Sequence, residues 1–340
     1  MEEQKKKKKG GCCLAVLIVM LVLVVGVLGV AAYGYNAVLN QINRFDEEEV
    51  TLSQEEIQAI EQETEALPED STIEVVEDVT MPEEDADLIE EEDHIINILL
   101  IGQDRREGQG RQRSDSMILC TIDTQDKTLV MTSFLRDLYV DIPDWNGNSY
   151  LDNRLNVCYA FGGMGMLDAA LQKNFGIQVD HNIEVDFSGF KESIGIFGGV
   201  SSNLTKAEAN YLGQGLVAGP NWLTPEQALA YSRIRYIDSD FGRTNRQRNV
   251  LNALLNSVKD MNTSQLTELV NKILPMITTD MTNADITNYM LQVLPVLSQL
   301  EVTTQHIPID GSYRSVYIRG MAVLVPDMEV NKAHLRDTLS

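Results

Sequence analysis

Five arginines fall in the stretch SRIRYIDSDFGRTNRQR (residues 232–248): Arg233, Arg235, Arg243, Arg246 and Arg248. A guanidinium is a permanent cation whose forked N–H donors match carboxylate and phosphate oxygens, so such a gathering needs anions. The chain's own acids, Asp238 and Asp240, would make an ion-pair network. An external polyanion such as a phosphate would make a binding site, and a helix N-terminus would add amide donors to it. Arg243 stands three residues before Arg246 and four before Gln247, which puts them on one helical face. That face runs on through Val250, Leu251 and Leu254, which read as core. Arg243 and Gln247 are therefore expected to point inward, and Arg248 to face solvent.

A second group of charges lies earlier in the chain. Asp104 follows the apolar run IINILLI, Arg113 and Asp115 precede SMILCTI, and Arg136 and Asp137 follow TLVMTSF. If these runs are neighbouring antiparallel strands, all five charged residues reach one edge of a sheet, with Arg105, Arg106 and Arg111 in the loop between the first two strands. Two carboxylates beside a phosphate suit a hard divalent cation with oxygen ligands, Mg2+ or Mn2+. Asp104 and Asp115 are the candidate ligands. There is no Cys-x-x-Cys pair and the four histidines are scattered, which excludes a zinc site of the usual spacing.

The elements that must position these groups are legible from pattern. Strands are predicted over 95–101, 116–122 and 128–134, with the last two joined by the polar turn Thr124-Gln125-Asp126-Lys127. A helix over 167–175 stops at Gly176, and a strand follows over 183–187. Thr224, Pro225 and Gln227 spell a capping box with proline at the first helical position, which predicts a helix over 225–235. Helices are also predicted over 266–277, 285–300 and 330–339, and strands over 302–308 and 313–318. Strands interleaved with helices indicate a layered α/β domain.

The totals set its surroundings. The chain carries 51 acidic and 27 basic side chains, a net charge of −24. Residues 46–93 hold 22 of the acids and no Lys or Arg, whereas residues 94–340 hold 27 acids and 21 bases. The acidic segment, 34–93, reads as an extracellular linker, with one short helix over 54–66 started by the capping box Ser53-x-x-Glu56. Lys5 to Lys9 precede 20 uncharged residues, 14–33, about 30 Å as a helix and enough to span a bilayer. The lysines place residues 1–13 in the cytoplasm and everything after Tyr33 outside. A cleaved leader is disfavoured by the length of the apolar run. The chain thus divides into a basic tail (1–13), a transmembrane helix (14–33), a linker (34–93) and a catalytic domain (94–340). Cys120 and Cys158 read as buried small hydrophobes, with a disulfide between them as the alternative. An outside domain without a basic, aromatic patch excludes nucleic acid as a partner.

With these residues assembled, the chain resembles the LytR-CpsA-Psr family of cell-wall ligases through NILLIGQDRR, GRQRSDSMIL, TSFLRDLYVDI, RLNVCYAFGG, LTPEQALAYSRIR and DFGRTNRQRNVL. The resemblance implies an α/β/α sandwich on a central mixed sheet, with a deep apolar pocket for a lipid tail. It implies a single-pass cell-membrane protein, an Mg2+-dependent phosphotransferase that moves a glycopolymer such as a teichoic acid or capsular chain. The donor is a polyprenyl-diphosphate carrier and the acceptor a peptidoglycan sugar hydroxyl. By the same resemblance the metal carboxylates are Asp104 and Asp115. The diphosphate-binding residues are Arg113, Arg136, Arg154, Arg233, Arg235, Arg243 and Gln247, with Arg113 and Arg136 also catalytic. Two departures stand out: Leu135 where the family commonly has proline, and Arg154 where lysine is common. Residues 164–167, 187–197 and 250–258 are candidate walls of the lipid pocket. The alternatives are a diphosphate hydrolase, in which water replaces the sugar hydroxyl, and a non-catalytic wall-polymer sensor, which has no need of the Asp104–Asp115 pair.

Overall fold

The computed structural model of the chain describes residues 39–45, 52–61, 64, 73–82, 84–89, 92–103, 111–234, 237–238, 240–259, 272, 274–293, 295–296 and 299–339. Its strands are β1 (Asn43–Arg44), β2 (Glu74–Val76), β3 (Ile95–Gln103), β4 (Ser114–Asp123), β5 (Thr128–Phe134), β6 (Tyr139–Val140), β7 (Asn153–Arg154), β8 (His181–Asp186), β9 (Val200–Leu204), β10 (Gly219–Leu223), β11 (Ile277–Thr279), β12 (Glu301–Ile307), β13 (Tyr313–Ile318) and β14 (Met321–Pro326). Its helices are α1 (Gln54–Glu61), α2 (Val157–Phe175), α3 (Phe187–Ile196), α4 (Lys206–Leu212), α5 (Pro225–Ser232), α6 (Asp240–Lys259), α7 (Asn283–Val293) and α8 (Met328–Leu339).

The predicted hairpin forms: β3, β4 and β5 are antiparallel neighbours, and Gln103 pairs with Ser114. They sit in a seven-stranded mixed sheet of order β1-β11-β8-β3-β4-β5-β12. β8 runs parallel to β3, ending Gln103 against Asp186, and β12 parallel to β5, ending Ile307 against Phe134. One edge therefore collects the ends of β3, β5, β8 and β12 and the start of β4.

Period-two alternation divides the core between the sheet's two faces. Ile98, Leu100, Ile118 and Cys120 pack with Ile194 of α3, Ala228 and Tyr231 of α5, and Val250 and Leu254 of α6. Leu99, Ile101, Met117 and Leu119 pack with Cys158, Tyr159, Leu167 and Phe175 of α2 and with Leu335 and Leu339 of α8. This is a mixed α/β fold with helices on both faces. Cys120 and Cys158 lie on opposite faces and are free thiols, so the disulfide alternative falls. The same division corrects the proposed pocket walls. Met164 and Leu167 pack on one face and Ile194, Val250 and Leu254 on the other, so they cannot line one cavity.

The described parts of residues 34–93 dock on the domain and do not hang off it as a linker. Leu39 and Ile42 are buried in the main core. Asn43 pairs with Thr278 and extends the large sheet, while Glu74 pairs with Val316 in a second sheet with β13 and β14. Ile57 and Ile89 join the α2 face. Ile57, Met81, Ala86 and Ile89 are buried while Glu55, Glu56, Asp85 and Asp87 stay exposed, as do Val75 and Leu88. Composition weighs the acids, but it is the placement of a few apolar residues that docks the segment.

Other expectations held in part. The Ser53–Glu56 capping box is present, with reciprocal contacts of 2.8 and 3.3 Å, and α1 ends at Glu61. The helix predicted over 266–277 lies largely outside the described residues; what is described is a single turn at Leu274–Met276 and then β11. Among the described residues no helix is long and apolar enough to cross a membrane, and the apolar run 14–33 lies outside them.

Candidate functional site

Asp115, second residue of β4, is the meeting point of the sheet edge. Arg136, two residues past β5, places Nη1 3.2 Å from Asp115 Oδ1. Asp137 holds the other side of that guanidinium, its Oδ2 3.3 Å from Arg136 Nε, and its Oδ1 lies 3.4 Å from Arg154 Nε. Asp137 thus sits between two guanidinium groups, the arrangement of a residue that orients Arg136. From the arginine-rich stretch, Arg243 on α6 donates from Nη2 to the carbonyl of Asp115 at 3.1 Å. The two charged groups found in the sequence, 128 positions apart at this contact, do meet.

The backbone explains why Arg136 is held there. The Asn156 N–H donates to the Arg136 carbonyl at 3.4 Å, and the Asn156 carbonyl accepts from the Ser114 N–H at 3.3 Å. One residue at the start of α2 therefore links the turn bearing Arg136 to the strand bearing Asp115. Leu135 donates its N–H to the Ile307 carbonyl at 3.0 Å. Proline at this position would lack that donor, so the departure from the family's pattern ties the turn to β12.

The remaining predicted residues divide. Arg113 is half-buried and reaches the Ile60 carbonyl of α1 at 3.3 Å. Arg154 is buried and donates from Nη2 to the Ala322 carbonyl at 2.8 Å, so it backs Asp137 from the protein side. Arg233 caps α5 with an exposed side chain, and Gln247 is half-buried on α6. Asp104 and Arg235 lie outside the described residues.

The two other arginines of the stretch behave differently. Arg246 is 1% exposed, bonded to Asp238 at 2.6 and 2.7 Å, to Glu208 at 3.3 Å and to the Ile234 carbonyl at 2.8 Å. Here the ion-pair network is what forms. Arg248 was expected in solvent; instead it is half-buried, burial lowers its pKa, and its Nη1 has no hydrogen-bond partner among the described residues.

For a cation, the fit rests on the donor set. Asp115 offers a half-buried carboxylate whose Oδ1 is shared with Arg136, an oxygen donor of the hardness that Mg2+ takes. Among the described residues no group of three His, Cys, Asp or Glu could hold a metal, and Asp104 is not among them.

Sequence reasoning missed a buried polar group beside this edge. Glu184 of β8 is 4% exposed and accepts from the Tyr159 hydroxyl and the Gln103 amide. The one signal available was an acid between two apolar residues, Ile183 and Val185, in a predicted strand.

The LytR_cpsA_psr family model matches residues 50–336. A polyisoprenyl-teichoic acid–peptidoglycan teichoic acid transferase TagU of Enterococcus faecalis is 35% identical over 189 residues, 54% of this chain and 59% of that protein. The chain therefore spans less than two thirds of that relative. The regulatory protein MsrR of Staphylococcus aureus is 30% identical over 250 residues, 72% of this chain and 74% of that protein. Among solved structures, B. subtilis TagV superposes with a TM-score of 0.56 at 26% identity, over 73% of this chain and 97% of that one. A structure of TagT bound to LIIa-WTA matches with a TM-score of 0.57 at 23% identity, over 77% of this chain and 99% of that one, which shows the shared fold.

Proposed function

The chain belongs to the LytR_cpsA_psr family, and from that premise we propose that it transfers a glycopolymer from a polyprenyl diphosphate to a sugar hydroxyl of peptidoglycan, outside the cell. The observation that carries this is the convergence of Arg136 and Arg243 on Asp115, at 3.2 and 3.1 Å. Fixed cations grouped about a carboxylate suit a diphosphate, whose charge the guanidinium groups would neutralise. The relatives named as teichoic acid transferases point to the same substrate class.

In this reading Arg136, Arg243, Arg113, Arg233, Arg235 and Gln247 bind the diphosphate oxygens, while Arg154 and Asp137 orient Arg136. Asp115 and Asp104 would hold Mg2+ or Mn2+, which when bound would neutralise charge on the diphosphate. The acceptor hydroxyl oxygen forms a bond to the phosphorus next to the sugar, and the bond from that phosphorus to the bridging oxygen breaks. The electron pair leaves with the polyprenyl phosphate, and the hydroxyl proton passes to a carboxylate. Asp104, Asp115 and Asp137 are the nearby carboxylates for that proton, with Asp137 also engaged by Arg136 and Arg154. The lipid tail lies on the face covered by α3, α5 and α6, where Ile196, Phe197, Leu216 and Ile237 are only partly buried against the core.

The anchor fits the same geometry. In this reading residues 14–33 span the bilayer, and Leu39 is already buried in the core. The five residues between, 34–38, reach at most about 20 Å. Asn43 pairs with Thr278, and Thr278 with Glu184, at the level of Ile101 near the end of β3. The chain thus enters the sheet close to the edge that bears Asp115, which supports a site turned toward the membrane that carries the lipid.

The test is incubation of the purified full chain, Mg2+, a synthetic polyprenyl-diphosphate glycopolymer and peptidoglycan. Polymer covalently joined to peptidoglycan is the expected product. Free polymer phosphate alone would mean a hydrolase, and binding without turnover a sensor.

A further inference from the structure

The buried group around Glu184 lies beside the candidate site and has no part in the reading above. Gln103, Glu184 and Tyr159 are 0%, 4% and 0% exposed. Glu184 takes the Tyr159 hydroxyl on Oε2 and the Gln103 amide on Oε1. Gln103 then uses its own side-chain carbonyl to accept the backbone N–H of Gln112 at 3.1 Å. Gln103 is the last residue of β3 and pairs with Ser114, across a register shift between Gly102 and Gln103. An amide whose orientation decides which end faces the carboxylate and which faces the Gln112 N–H has one orientation that satisfies both.

The chain just beyond is clamped as well. Arg111 is buried, with its guanidinium carbon 4.9 Å from the Phe45 ring centre and 5.7 Å from that of Tyr159. The slot exists because α2 kinks at Gly162 and Gly163. Gly163 has φ +69°, and a Cβ there would stand 2.5 Å from Arg111 Nη1 and 2.6 Å from Phe45 Cζ. Residues 111 and 112 are thus held from both sides, immediately before Arg113 and Asp115.

We propose that Glu184 is a positioning residue: by holding the amide of Gln103 it aims the Gln103 carbonyl at Gln112, and so fixes the backbone that presents Arg113 and Asp115. This rests on the phosphotransferase reading for its effect on rate, but not for its effect on structure. A carboxylate is the right group because it has only acceptors, and Tyr159 and Gln103 come to it as donors. Buried, such a network favours one arrangement over its competitors.

The test exchanges the two ends of the bond. Gln103→Glu alone sets two carboxylates against each other. In the double variant Gln103→Glu, Glu184→Gln, the amide at 184 donates to the carboxylate at 103 and accepts the Tyr159 hydroxyl, while the carboxylate at 103 still accepts the Gln112 N–H. We expect Gln103→Glu to lower kcat about 100-fold with little change in KM, the scale of a 1 Å misplacement. Exchange of the Gln112 amide hydrogen should quicken about tenfold, and the double variant should restore both to within about threefold. Parental rate and parental exchange in Gln103→Glu, or a double variant that restores neither, overturns the proposal. If Gln103→Glu does not fold, Gln103→Ala replaces it in the same comparison. If the parent chain transfers nothing, the functional reading fails, and the exchange data alone decide the network.

Discussion

Arg243 and Arg246 stand three residues apart on α6, both buried, at 2% and 1% exposure, and do different work. Arg246 is enclosed by Asp238, Glu208 and the Ile234 carbonyl, so its charge is answered within the fold. Arg243 instead crosses to the main chain of Asp115, whose carboxylate is held by Arg136. One arginine joins α4, α6 and the end of α5; the other joins α6 to the sheet edge. A cluster of arginines in a sequence therefore mixes two populations, and only the partners sort them.

The contrast can be broken most sharply at Arg246. Arg246→Ala leaves Glu208 and Asp238 without their cation, and stability should fall by about 3–5 kcal/mol in urea denaturation. Asp238 is part-exposed, with a side chain at 42%, which favours the lower figure. An equal loss in Arg243→Ala would erase the distinction. Arg136→Ala and Arg243→Ala should each cut transfer about 100- to 1,000-fold, read as initial rates of polymer attachment, the scale of losing one preorganised donor. Arg246→Ala, assayed under conditions where it stays folded, should retain transfer to within about tenfold.

A weaker effect measures how far α5 matters as the carrier of Arg233. Thr224 accepts the Gln227 N–H at 3.3 Å, and Gln227 accepts the Thr224 N–H at 2.9 Å. Thr224→Ala should cost about 1 kcal/mol of stability by thermal melting, with transfer little changed.

The smallest effect belongs to the opposite end of the sheet. His181, at the start of β8, lies 3.1 Å from Asp280 and 3.8 Å from Asp285. Burial lowers its pKa, but the hydrogen bond and charge of Asp280, with Asp285 and Asp180, outweigh it and the net direction is upward. A raised folded pKa gives stability that is complete below the unfolded value near 6.5 and fades as pH rises through the folded one. The fade should stay below about 1 kcal/mol, because the pair is partly wet. His181→Gln should flatten the profile above pH 6.5; an unaltered slope would exclude His181 as its source.

Much of the frame was legible because it depends on neighbours in the chain. The strand over 128–134 and the strand Tyr313–Ile318 were read with their observed limits, and the Thr224 box starts α5 as expected. The meeting of Asp115 and Arg136 followed from strand order; the arrival of Arg243, on a helix 128 positions away, did not. Short pieces were not legible: β1 and β2 have two and three residues, and nothing local marks them as strands. Glu184, Gln103 and Tyr159 were missed because each looks ordinary in its own segment.

By itself the sequence determined the alternation that buries both faces of the sheet, the helix starts, and the family to which the chain belongs. These rest on periodicities of two and 3.6 residues and on hydrogen bonds spanning a few positions, all contained within a window. Only the tertiary structure decided which acid answers which arginine, that Arg154 lies behind Asp137, and that the acidic segment docks on the domain. Those outcomes depend on pairs brought together across long stretches of chain, where the energy of a contact is set by burial and by the partner that arrives, not by the residue's own type.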